Sequence, residues 1–364
     1  MANEFVTRNG FVALCSSQVT GSLSVTSDIN GDARLKIGSG HTLSGTLASI
    51  GGGKSNTASG LYSFVGGGLS NCATATLSNI VGGCCNVVSS ANSAVISGCF
   101  NTISASSSRN FLGSGRNNTI CGGSGNSVLV GGRNNTVCEL NVFLGGGVCN
   151  IVTGNTATLS GGYCNTASGG YSFIGGGKCN TASGYRASIV GGLNNTASGL
   201  LSKVGGGQQN TASGPYSTVS GGYKNSATCL TGASVLGGYY NDATGEYSTI
   251  GGGYDNAASG RLSFIGGGNT NTASGACSTM GGGKLNTASG TYSVVAGGLS
   301  NSASGDRATI GGGSTNCATN TGDTIAGGIN SRTGGAYGTV SGGYNNSATG
   351  YMAVIGGRSE EHTS

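Results

Sequence analysis

An aliphatic residue or methionine returns along this chain at nearly fixed intervals: Ile50, Val65, Ile80, Val95, and later Ile250, Ile265, Met280 and Val295. Each is followed, two residues on, by a pair of small residues, usually Gly-Gly, then by two variable residues and an asparagine. Gly52-Gly53 leads to Asn56, Gly67-Gly68 to Asn71, and Gly176-Gly177 to Asn180. The pair recurs 21 times between Gly52 and Gly356. Most intervals are 15 residues; two of 17 lie around Ser97 to Gly131, one of 16 precedes Gly237, and the last is 14. The aliphatic position holds in all 21 units, and the asparagine in 19 of the first 20, with Ser331 the exception. Two residues after it stands Ala or another apolar residue, as at Ala58, Val88, Ala182 and Ala273, with Thr333 the exception.

Within a unit the small and apolar positions alternate. Asn56, Ala58 and Gly60 form one set, and Ser63, Val65 and Gly67 a second. Alternation with period two over four or five residues marks a half-buried strand. Glycines between the sets suit tight turns with positive φ. Each unit is therefore expected to be one coil of two short strands and two corners. No 3.6-residue apolar stripe exists, which excludes a helical reading. One coil cannot bury its apolar face alone, so coils must stack. The fold class expected is all-β: a parallel β-solenoid or β-roll of about 20 coils. Stacking turns each column into a ladder, an apolar spine of Ile and Val and an amide ladder of Asn.

The repeat covers residues 45–357. Residues 1–44 read as a small β cap or attachment segment, because Ser22–Thr26 and Asp32–Ile37 alternate around Asn30-Gly31, a hairpin turn signal. At the other end, Arg358-Ser359-Glu360-Glu361-His362-Thr363-Ser364 breaks every column. That heptad is also what a common sequencing-library adapter encodes, so residues 358–364 are expected to be read-through, with the native C-terminus beyond the sequence.

Composition sharpens this picture. Gly is 77 of 364 residues, Pro is 1, and charged residues are 7%. With no Gly-X-Y period and a single proline, collagen is excluded. The net charge of +5 is scattered; Arg116 and Arg133 share a repeat position, but no basic run points to nucleic acid. No apolar stretch approaches a membrane span, and the opening residues lack the pattern of a signal peptide.

Little chemistry is expected. With the tail set aside, His41 is the sole histidine, so no Ser-His-Asp or Cys-His site has a base; His41 reads as a solvated residue at the cap boundary. Asp242, Glu246 and Asp255 are the one local acidic group and read as surface charges. The Gly-Gly-Gly motifs lack the following helix of a phosphate loop, and the column that would carry Asp in a calcium roll carries Asn. No metal, no cofactor and no enzymatic activity is expected. Cys149, Cys164 and Cys179 share one position on three consecutive coils, within disulfide range; the odd total of 13 cysteines favours free thiols acting as small ladder residues. Tyr223, Tyr239 and Tyr254 stack in the same way. They read first as a ladder that stabilises the sheet, and second as a ligand-contact surface for sugar rings or a receptor.

The pattern Ala-Ser-Gly-x-Tyr-Ser-x-Ile-Gly, as at Ala167–Gly175 and in the same frame at Ala258–Gly266, resembles the head repeats of trimeric autotransporter adhesins (YadA-like heads). It is also similar to the Gly-Gly-Gly-x-x-Asn-Thr-Ala-Ser-Gly arrays of phage and large-virus tail-fibre proteins. The resemblance implies a left-handed β-roll, three chains packed into a rod, and a part in attachment to a host receptor or glycan. The expectation is a homotrimeric virion or tail-fibre shaft, assembled in host cytoplasm, without nucleic acid and without membrane insertion. A bacterial surface adhesin is the alternative. An ice-binding solenoid is more distant, because the Thr57 column is interrupted by Cys72, Val87, Ile151, Asp242 and Arg332.

Overall fold

Residue by residue, each 15-residue unit closes one turn of a parallel β-solenoid. The computed structural model describes residues 36–104, 108–123 and 125–357. Two stacks of two-residue strands run its length, 21 strands in each. The first holds Thr166–Ala167, Thr181–Ala182 and Thr196–Ala197, and the second Phe173–Ile174, Ser188–Ile189 and Lys203–Val204. Every pairing is parallel, with one coil set on the next in register: Thr181 opposite Thr196, Ile174 opposite Ile189. The long intervals are absorbed without a slip, as Thr102 pairs with Thr119, Thr119 with Thr136, and Ser226 with Asp242. The last interval, read as 14, is 15, because Val340 pairs with Ile355 and Val354 faces outward. A third ladder of single bridged residues, from Ser39 and Lys54 through Leu69 to Tyr344, runs beside the first stack. The expected two-strand coil lacked this third contact line.

The corners go beyond expectation. Glycine does take positive φ, at Gly53 (φ 89°) and Gly68 (φ 93°), but two further residues per coil adopt the left-handed region, and nearly all of these carry side chains: Ser55 (φ 57°) and Tyr62 (φ 56°), then Ser70 and Leu77. Such a conformation costs roughly 1–2 kcal/mol for a non-glycine residue. It turns the amide back toward the preceding coil, where Tyr62 N donates to Thr46 O at 3.0 Å and Cys164 N to Val148 O at 2.9 Å. Strand amides donate the other way, as Thr181 N does to Asn195 O at 2.8 Å. The backbone hydrogen bond gained at each corner offsets the strain.

Glycine is demanded at the second residue of each pair, where φ is positive (97° at Gly192) and no side chain fits. A Cβ on Gly192 would lie 2.2 Å from Gly207 O and 2.5 Å from Asn195 Nδ2. On Gly191 it would meet nothing closer than Gly176 O at 4.0 Å, which explains why Ser97 and Ser114 fill that first position.

The core is one residue wide on each side. Asn, Ala, Ser and the aliphatic position of a coil, such as Asn56, Ala58, Ser63 and Val65, are buried. Where the coils lengthen, the core fattens: Ile103 faces the interior with Leu112, and Ile120 with Leu129, whereas later coils pair Ala167 with Ile174. Larger side chains fill the wider turn, as close packing requires.

Residues 36–44, expected in the cap, already run in solenoid register: Thr42–Leu43 pairs with Thr57–Ala58. The expected hairpin at Asn30-Gly31 and the tail from Arg358 lie outside the described residues.

Candidate ligand-contact surface

Tyr223, Tyr239 and Tyr254 occupy consecutive rungs of the third ladder, bridged in register. The residue after each rung is the left-handed corner that precedes the buried asparagine. Lys224 (φ 52°) and Tyr240 (φ 58°) therefore stand beside the ladder. The rings do not form the simple three-ring stack expected. Tyr223 and Tyr239 lie 6.0 Å apart at 46°, Tyr240 meets Tyr223 edge-on at 5.5 Å, and Tyr254 contacts Tyr240 at 6.0 Å. The ammonium of Lys224 lies 5.3 Å from the centre of Tyr223 and 5.2 Å from that of Tyr240. Hydrogen bonding to the Tyr223 hydroxyl, with the field of Tyr223 and Tyr240, holds this ammonium above the ordinary lysine range. Edge-to-face rings and a cation over a ring each add modestly to stability.

Tyr223 and Tyr239 also form the wall of a shallow depression of about 460 Å³, with Gln208 beside them and Gly207 and Gly222 beneath. An aromatic face over a bare backbone floor, with an amide at the rim, suits the flat side of a sugar ring. The columns assembled the three tyrosines. Tyr240 and Lys224 were missed, though both share the repeat position of Cys149, Cys164 and Cys179.

The other singled-out residues fall elsewhere. His41 is buried, not solvated. It stands 15 residues before Asn56 and opens the asparagine ladder: its Nδ1 accepts the Asn56 amide at 3.0 Å, so its Nε2 carries the proton and donates to Ile37 O at 2.9 Å. Glu246 pairs with Arg261 at 3.2 Å on the surface, one coil apart, leaving Asp242 and Asp255 in other columns. Cys149, Cys164 and Cys179 are free and half-buried. Burial pushes the Cys164 thiol up, against a hydrogen bond from Tyr163 that lowers it, with Cys149 and Cys179 raising it further. A thiol so placed is a poor nucleophile at neutral pH. Two disulfides that sequence reading missed, Cys84–Cys99 and Cys121–Cys138, join neighbouring coils with Cα atoms 4.6 and 4.7 Å apart. Each pair shares a repeat column, the signal that could have found it. Among the described residues, no group of three or more His, Cys, Asp or Glu is placed to hold a metal ion.

No protein-family model and no curated protein matches this chain.

Proposed function

We propose that this chain is a structural shaft, not a catalyst: a segment of a virion or tail fibre that supports host attachment, with three copies packed along their length. The observation that carries this reading is the unbroken register of 21 parallel strands in each stack, whose length grows with coil number. A protein built this way spans distance at low sequence complexity.

Self-association has a surface to use. The outer side of the second stack carries Phe64, Val81, Ile96, Phe111, Val130 and Phe143, all exposed. Exposed apolar stretches of this kind mark association sites, and a thin core leaves a lone coil stack short of buried area. The stripe is unbroken over the six coils from Phe64 to Phe143, and a second copy of the same stripe is the occupant that matches it. The tyrosine depression then faces outward as a lateral contact for glycan.

An antibody raised against the chain, used for immunogold labelling of virus particles and bacterial cells from the source sample, tests the assignment. Gold on particle fibres is expected. Gold confined to bacterial surfaces would replace this reading with the adhesin one.

A further inference from the structure

We propose that Arg116 and Arg133 form a binding site for a tetrahedral oxyanion, the sulfate or phosphate ester of a small sugar. The two residues are bridge partners on consecutive rungs of the third ladder, so the fold sets their Cα atoms about one strand spacing, roughly 4.8 Å, apart. Both are exposed. Like charges directly opposite each other on a sheet destabilise it. Among the described residues the ion pair is Arg261 with Glu246, and no described carboxylate pairs with either arginine to relieve the repulsion.

The two coils are nonetheless held together with unusual firmness. Cys121–Cys138 links the same pair of coils, since 121 follows 116 and 138 follows 133 by the same five residues. Asn135 N donates to Asn118 Oδ1 at 3.0 Å between them, and Asn134 N donates to Arg116 O at 3.1 Å. The arginines line one depression of about 400 Å³ with Phe100, Asn117 and Asn134. Asn117 Nδ2 donates to Asn134 Oδ1 at 2.8 Å, which fixes the amide rim. Two guanidinium forks carried on adjacent rungs match the several oxygens of a sulfate or phosphate better than a single charge. A phenyl ring at the edge, half exposed in Phe100, adds a face for the carbon skeleton that bears the ester. This site lies in the long coils and is separate from the tyrosine depression.

Isothermal titration of the full chain with glucose 6-sulfate, glucose 6-phosphate and glucose tests the site. Saturable binding of an ester at one site per chain is expected, with glucose silent. Arg116→Gln and Arg133→Gln should each weaken it at least tenfold, while Lys203→Gln leaves it unchanged. Glutamine already occupies this column at Gln208, and an unchanged thermal melt of each variant confirms folding. A pH series separates the two esters: phosphate binding tightens as its second proton leaves near about pH 6, whereas sulfate binding stays flat. Glucose binding as well as its esters, no saturable heat, or a double variant with unaltered affinity would overturn the site.

Discussion

The buried asparagine and the buried serine occupy matching places in the coil and differ in what they bond. Asn180 Oδ1 accepts the Asn195 amide at 2.9 Å, and its Nδ2 donates to Gly176 O at 3.0 Å and Gly192 O at 2.9 Å. Ser248, Ser263, Ser278 and Ser293 are equally buried, yet their hydroxyls find no protein partner. Removing one side of a buried hydrogen bond leaves a desolvated group costing about 1–3 kcal/mol, while removing an unpaired hydroxyl costs nothing of that kind. Asn180→Ala is therefore expected to lose about 3 kcal/mol or more in urea unfolding. Ser263→Ala, which copies the alanine found at Ala187 and Ala308, should be neutral or slightly stabilising. Equal losses in the two variants would refute the ladder as the source of stability. The amide ladder was legible because one residue type repeats with the coil. His41 was not, because its identity suggested chemistry while its position, one period before Asn56, gave its role. Asp323 is a similar case: it fills the serine column and accepts Asn320 N at 2.7 Å and Gly338 N at 3.0 Å.

Two-residue strands have almost no stability of their own, so the elements exist only as stacks. Their inner faces were readable from period two, since the buried Ala58 and Val65 alternate with half-buried or exposed neighbours. The outer face of the second stack was less so. Phe64, Phe111, Phe143, Phe173 and Phe264 are each followed two residues later by glycine, and a Cβ on Gly66 would lie 3.4 Å from the Phe64 ring. Each ring lies near its own strand, and Val81, Ile96 and Val130 fill the coils between. If this stripe joins the three copies, sedimentation equilibrium of the chain gives three times 35.0 kDa. Phe111→Asp with Phe143→Asp then shifts the mass to that of a single copy, because charges buried in an apolar contact are not tolerated. An unchanged mass in the double variant would place the contact elsewhere. The third ladder and the side-chain-bearing corners escaped the sequence because positive φ is ordinarily assigned to glycine. Here the inter-coil hydrogen bond lets tyrosine, serine, cysteine and leucine take it.

At the scale of the whole molecule, each coil bonds only to the coils before and after it, and stability is a sum of repeated interfaces. The two long coils, with their larger Ile and Leu cores, two disulfides nearby and paired arginines, are where the repeat departs furthest from itself. Both candidate contact surfaces fall at such departures, the proposed oxyanion site at Arg116 and Arg133 and the tyrosine surface at the 16-residue coil that leads to Tyr239 and Tyr240. The decisive measurement is electron cryomicroscopy of the purified chain. With 21 strands in each stack at a spacing of about 4.8 Å, the expected image is a straight rod about 100 Å long with an axial repeat of about 4.8 Å. A particle no longer than about 50 Å, the span of a compact domain of this size, or a rod without that repeat would contradict the stacked-coil fold.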